Sequence, residues 1–310
     1  MSKVIILNRD QYDQYIIDEM IENILEVISY SPSADVQRIV IKPNMMYYWD
    51  ASTGETTDPR IVSSIIDSLR RIFGEDIDIY VAESDASSMK TKYVFKVLEY
   101  DKLCEKKRVK LVNLSDGEIV TEKVQLHKDI VKLKVNKLLL SADFVVNVPK
   151  LKVHREPPVL SCALKNFFGL ISTQYKYQYH QNLSIYVSAI NKLIKSNVII
   201  VDGLVVNGKF PKKMGILIGA NDPVSCDIIA SKIVGRNPMQ DQIISSAINE
   251  GLGKMDFQFI DPDSIFNTAI KKFPQLNPFL SKISWSMQLK LLKIYVKLIG
   301  DILPPIMGED

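Results

Sequence analysis

The stretch "FVVNVPKLKVHREPPVLSCALKNFFGLI", Phe144–Ile171, decides how the chain is read. An apolar, β-branched run ends at Pro149, and Lys150, Lys152, His154 and Arg155 follow at once. A continuous apolar run bounded by a turn signal indicates a strand buried on both faces. Residues at spacing two in an extended segment project to one side, so Lys150, Lys152 and His154 should present three donors together. Such a row suits a phosphate or carboxylate, and His154 can move a proton near neutral pH. The plain alternative is a solvated edge whose lysines block sheet-to-sheet pairing.

Further along, Pro157-Pro158 suit a helix start and Gly169 its stop. The spacing predicts a helix of about three turns, buried through Leu160, Leu164, Phe167 and Phe168, with Lys165 and Asn166 near its far end. Lys165 either reaches back to the strand exits or caps the helix's negative end, an interaction of about 0.3–1 kcal/mol.

Outward from this stretch, short apolar runs alternate with helical patterns. "KVIIL" (3–7), "RIVIK" (38–42), "IDIYVAE" (77–83), "NVIIVDG" (197–203) and "MGILIGAND" (214–222) read as strands, and "QYIIDEMIENILEVI" (14–28) as an amphipathic helix. Asp58-Pro59 and Asp222-Pro223 each supply an N-cap followed by a first-turn proline. The pattern predicts an α/β fold, with a mainly parallel open sheet and helices on both faces. A small β-hairpin insertion is expected within residues 107–126, turning at Asp116-Gly117. Residues 1–275 read as a single α/β domain and 276–310 as an amphipathic C-terminal helix and tail.

Ligands of open α/β sheets bind where strands end. The strand exits offer Lys42 and Asn44, then Glu83 with Ser84 and Asp85, then Asp202 and Asn207, and finally Asn221, Asp222 and Asp227. The candidate catalytic set is His154, Lys165 and Glu83; the candidate substrate-binding set is Lys42, Asn44, Lys150, Lys152 and Asn166. Asp202, Asp222 and Asp227 are candidate ligands for a divalent ion such as magnesium, which takes one or two carboxylates plus substrate oxygens. As an N-cap, Asp222 also has a purely structural reading. "GLVVNGKFPKKMG" (203–215) reads as a mobile basic loop, and "YKYQYHQN" (175–182) as a partly buried loop or interface.

Composition narrows the function classes. With 39 basic and 36 acidic residues in 310, the net charge of +3 is too even to predict nucleic acid as a partner. Cys104, Cys162 and Cys226 are far apart without a CxxC pair, so no iron–sulfur cluster is expected and reduced, cytoplasmic thiols fit. The N-terminus lacks the pattern of a signal peptide. Trp285, Leu289, Leu292, Val296 and Ile299 form one apolar stripe, while Lys290, Lys293 and Lys297 lie off it and interrupt the linear apolar run. Spanning a bilayer takes about 20 consecutive apolar residues, so an anionic membrane surface, a homodimer contact or core packing is the expected use of that face.

The motifs "IKPNMM", "TTDPRIV", "VAESD", "NVPKLKVH…LSCALKNFFGL", "VDGLVVNGKFPKKMG" and "ANDPVSCDIIASKIVGRNP" occur in the order found in the domain of unknown function 362 family, which the chain resembles from about Val40 to Pro238. The resemblance implies an α/β domain. Its characteristic positions map onto Lys42, Asn44, Glu83, Lys150, Lys152, His154, Lys165, Asn166, Asp202, Asp222 and Asp227. Many members carry a ferredoxin-type iron–sulfur module, for which this chain has no matching cysteines; Cys162 stands where a small or hydroxyl residue is usual. Two functions are expected: an enzyme acting on a small phosphorylated or carboxylated molecule, or a non-catalytic redox partner or scaffold for separate iron–sulfur proteins.

Overall fold

The first strand, β1 (Ser2–Asn8), sends Val4 and Ile6 into one apolar cluster and Ile5 and Leu7 into another. The same alternation divides Val40 from Ile39 and Ile41 in β2 (Arg38–Pro43), and Ala82 from Ile79 and Val81 in β3 (Asp78–Glu83). Successive side chains of a strand face opposite ways, so the two clusters are the two covered faces of one sheet. The computed structural model describes residues 1–28, 36–87, 89–155 and 158–276, with 294 and 298 alone beyond them, and excludes the side chains of 154, 155 and 158.

The strands continue as β4 (Lys110–Asn113), β5 (Ile119–Gln125), β6 (Ile130–Asn136), β7 (Phe144–Val148), β8 (Lys150–Arg155), β9 (Pro158–Ser161), β10 (Val198–Asn207), β11 (Pro211–Ala220) and β12 (Phe257–Ile260). The main sheet runs β12-β1-β11-β10-β7-β2-β3-β4, with β8 beside β10 and β9 beside β8. Its β10-β7-β2-β3-β4 half is parallel throughout; β11 runs antiparallel to both β1 and β10. The α/β class with mostly parallel strands is therefore as the sequence predicts.

Helices Gln14–Val27 and Pro59–Phe73 cover one face, burying Ile17, Ile21, Ile24, Ile61, Ile65 and Leu69. Helices Leu183–Leu193, Pro223–Ile233 and Gln242–Asn249 cover the other through Val187, Ile190, Val224, Ile229 and Ile243. Asp58 accepts from Arg60 N at 3.0 Å and Asp222 from Ser225 N at 2.7 Å, so both Asp-Pro caps form.

Four local expectations change. A hairpin insertion exists, but it is β5/β6 and turns within residues 126–129; Lys110–Asn113 instead joins β3 as a parallel edge strand. Pro149 does not take the chain out of the sheet. Its carbonyl accepts from Asp202 N at 2.8 Å, and β8 continues beside β10 past a kink. No three-turn helix follows: β9 returns antiparallel on β8, and only Ala163–Asn166 is α-helical before a 3₁₀ turn at Phe167–Leu170. The basic loop at 203–215 is mostly ladder, because β10 runs to Asn207 and β11 begins at Pro211. The apolar stripe from Trp285 to Ile299 lies outside the described residues.

Candidate functional site

Parallel pairing of β10, β7, β2 and β3 brings their carboxyl ends side by side, with Lys42 level with Asn147 and Lys150 level with Asp202. Lys42 of β2, Glu83 of β3, Asp202 of β10 and Lys150, two residues past the end of β7, put four buried charges at this edge. Lys150 Nζ meets Asp202 Oδ2 at 2.7 Å with both side chains fully covered. The Asp202 carboxylate also accepts from Asp58 N at 2.8 Å and Leu204 N at 3.0 Å, although burial still raises its pKa. Lys42 Nζ meets Glu83 Oε2 at 2.8 Å and donates to Pro43 O at 2.6 Å. Lys152 Nζ meets Glu55 Oε2 at 3.0 Å and Glu55 O at 2.6 Å; burial lowers its pKa and Glu55 opposes the fall.

Space for the Lys42–Glu83 pair depends on Gly169. A Cβ there would lie 2.9 Å from Lys42 Nζ and 3.1 Å from Glu83 Oε1. Above the pair, Ser84 Oγ donates to Gly169 O and receives a hydrogen bond from Lys176 Nζ. Lys176 is buried, and among the described residues no carboxylate stands within ion-pair distance of it. Burial lowers its pKa to about 8, with Glu83 raising it and Lys42 lowering it further.

Lys165 differs most from the strand lysines. Among the described residues its amine has no hydrogen bond or ion pair, while the side chain remains partly accessible. Burial and then the charge of Lys152 lower its pKa to about 7, Glu55 opposing. His180 lies within the same field: burial, then Lys165, pulls its pKa down to about 4, leaving a neutral imidazole at pH 7. Its ring stands edge-on to Phe168 with centroids 5.5 Å apart.

The helical turn carrying Lys165 is fixed by amides. Asn147 Nδ2 donates to Ala163 O at 2.9 Å, while Asn166 Nδ2 donates to Asn147 Oδ1 at 2.8 Å and Lys42 O at 3.1 Å. The buried Asn166 Oδ1, Asn44 Oδ1 and Asn207 Oδ1 have no hydrogen-bond donor among the described residues. Buried acceptors without donors are costly, of order 1–3 kcal/mol each, unless water or ligand satisfies them.

The sequence-derived sets thus come together in part. Lys42, Glu83, Lys150, Lys152, Lys165 and Asn166 are linked through contacts or mutual electrostatics, and Asn44 joins them through the Val148 O and Thr57 hydrogen bonds of its backbone N–H. The His154 side chain lies outside the described residues. The three candidate metal carboxylates do not form one ligand set. Asp202 holds Lys150, Asp222 caps its helix and accepts from Lys254 N at 3.1 Å, and Asp227 caps the Lys165 turn by accepting from Ala163 N at 2.7 Å and Leu164 N at 3.0 Å. Asp227 instead neighbours Cys162 and Cys226, all three buried with ligand atoms within 4.8 Å of one another. Burial raises the Asp227 pKa to about 7 and holds the Cys162 thiol neutral.

Sequence reasoning missed Glu55, Asn147, Lys176 and His180. Glu55 follows Gly54, whose φ of 71° and close approach to Val206 deliver that loop onto β10, and nothing local in "STGETT" signals the contact. Asn147 was visible as a polar residue inside an apolar strand. Lys176 and His180 stood in "YKYQYHQN", where aromatic spacing drew attention from the charges.

The model of the family described as "Domain of unknown function (DUF362)" matches residues 39–232, which include every member of the cluster. The chain belongs to this family. A thylakoid-associated protein of Synechocystis sp. is 23% identical over 229 residues, covering 70% of this chain and 68% of that protein. The lactate racemase apoprotein of Thermoanaerobacterium thermosaccharolyticum superposes with a TM-score of 0.43 at 14% identity. That match covers 74% of this chain but only 59% of the neighbour. Among the described residues no helix is long and apolar enough to cross a membrane.

Proposed function

We propose that this DUF362 protein binds a small anionic molecule, phosphorylated or carboxylated, at the carboxyl edge of its sheet, as an enzyme whose reaction involves Lys165. One observation carries the reading. Lys165 is coupled to Lys152 and Lys152 to Lys150, while Lys176 is coupled to Lys42, yet among the described residues only Glu83, Asp202 and Glu55 form ion pairs with these five lysines. Two enclosed amines therefore lack a counter-charge. Unpaired buried charge is expensive and shifts its pKa to escape. An anion that reached either amine would lower that cost, and would find its binding strengthened by the low local dielectric. The orphaned oxygens of Asn44, Asn166 and Asn207 would accept hydrogen bonds from the same ligand or its water.

Thermal unfolding against a panel of phosphates and carboxylates tests the reading. Wild type should be stabilised by some members, and Lys165→Met and Lys176→Met should lose that stabilisation while still folding. Equal stabilisation of all three proteins would overturn it.

A second reading, contact with an anionic membrane surface, draws on the thylakoid association named for the cyanobacterial relative and on the apolar stripe from Trp285 to Ile299. Vesicle co-sedimentation of the full chain against a truncation at Ser281 decides it; equal partitioning of both would remove it.

A further inference from the structure

Cys162 and Cys226 are far apart in sequence, yet the fold brings their thiols together with the Asp227 carboxylate, the three ligand atoms lying within 4.8 Å of one another. Cys162 stands just before the Ala163–Asn166 turn, while Cys226 and Asp227 follow one another near the start of the helix Pro223–Ile233. Both thiols are fully buried and Asp227 is 2% exposed. Among the described residues no cation stands within ion-pair distance of Asp227, and the charge it feels from Asp241 is negative too. Three groups that become anions on losing a proton are thus packed together, although a buried charge is ordinarily paired or bound to a metal. The backbone N–H groups of Ala163 and Leu164 each meet one Asp227 oxygen, which leaves a lone pair free on both oxygens. A disulfide between the thiols would need an oxidant and would leave Asp227 as it is. A divalent ion engages all three groups.

We infer that Cys162, Cys226 and Asp227 form a structural site for one thiophilic divalent ion of the zinc class, which fastens the Ala163–Asn166 turn to the helix Pro223–Ile233. Two thiolates select such an ion over magnesium or calcium, which favour oxygen alone. Around a tetrahedral ion held at about 2.3 Å by sulfur and about 2.1 Å by oxygen, the ligand atoms stand about 3.5–3.8 Å apart. The three atoms already lie within 4.8 Å of one another, so small rotations of the side chains close them on the ion. The thiols release their protons to solvent as it binds. In so enclosed a place the second carboxylate oxygen fills the fourth position, as a closed structural site requires. The same Asp227 already caps the turn that carries Lys165, so the ion adds a second tie, through Cys162, at the start of that turn. Asp202 and Asp222 take no part, being held by Lys150 and by their own helix cap.

Cobalt titration of the intact chain, reduced and stripped of metal, tests the assignment. Co²⁺ should bind at one equivalent, with the thiolate-to-cobalt charge-transfer band and the intense visible bands of a tetrahedral sulfur site, and Zn²⁺ should bleach both. Cys162→Ala and Cys226→Ala should each lose the charge-transfer band. Cys104→Ala, which alters a buried thiol in the other apolar cluster, should keep it. Cobalt that binds without a charge-transfer band, or a band that survives in Cys162→Ala and Cys226→Ala or disappears in Cys104→Ala, would overturn the site. X-ray absorption at the zinc edge, on wild type loaded with one equivalent of Zn²⁺, decides the matter even if the cysteine variants fail to fold. Two sulfur neighbours at about 2.3 Å are expected; a shell of oxygen and nitrogen alone would overturn the site.

Discussion

The strand-borne lysines and the lysines of the segment after β9 stand in one electrostatic cluster, yet they are built oppositely. Lys42, Lys150 and Lys152 each reach a carboxylate within 3.0 Å and are almost fully covered. Lys165 and Lys176 come from a short turn and a 3₁₀ segment, and reach none among the described residues. On the anion-binding proposal, the difference separates holding the sheet edge together from answering a ligand. Side chains on a ladder are placed by register and can be paired permanently, as Lys150 is with Asp202. Amines on the covering segment are left with their charge unbalanced, so an incoming anion changes their energy more than that of the paired set.

The largest effect that sharpens this contrast is the loss of a paired lysine. Lys150→Met leaves Asp202 charged and uncompensated at zero exposure, and denaturant unfolding should show destabilisation of about 3–5 kcal/mol. Lys165→Met should instead match or exceed wild-type stability, since it removes an unpaired charge. Comparable losses in both variants would break the contrast.

Next in size is the packing beneath the cluster. Gly169→Ala forces a methyl against Lys42 and Glu83, and should lower stability by about 1–3 kcal/mol as overpacking does. Its sulfate response should weaken as the Lys42–Glu83 pair shifts. A variant as stable as wild type would show that the pair has room to move.

The smallest effect is a pH slope. Lys165 and Lys176 have folded pKa values of about 7 and about 8, below those of the unfolded chain, so the unfolded state binds more protons between these values and about 10.5. Stability should therefore rise with pH across pH 7 to 10, and fall back as pH drops toward 7. In Lys165→Met the slope should shrink; an unchanged slope would mean that the Lys165 amine titrates normally.

Much of this was legible in the sequence because it was local. The β-branched runs gave the strands, the two Asp-Pro caps gave helix starts, and the strand ends with the segment after them named Lys42, Glu83, Lys150, Lys152, Lys165 and Asn166, which are linked in the fold. What was hidden depended on long-range pairing. Spacing alone could not show that β8 stays beside β10 past Pro149, nor that the donors it presents arrive already paired with Asp202 and Glu55. The proposed magnesium carboxylates share a topological level in the sequence but are consumed one by one as ion-pair partner and helix caps. Glu55 and Lys176 enter only through tertiary contacts of loops, which carry no periodic signal.

The central claim is that the cluster carries buried positive charge awaiting an anion. Calorimetric titration with sulfate at pH 8, repeated in buffers of different ionisation enthalpy, tests it most directly, because sulfate itself does not titrate there. Binding should draw protons from solution, as Lys165 and Lys176 are pulled back to their charged forms, and Lys165→Met should abolish most of that uptake. Sulfate binding without proton uptake, or uptake undiminished in Lys165→Met, would contradict the account.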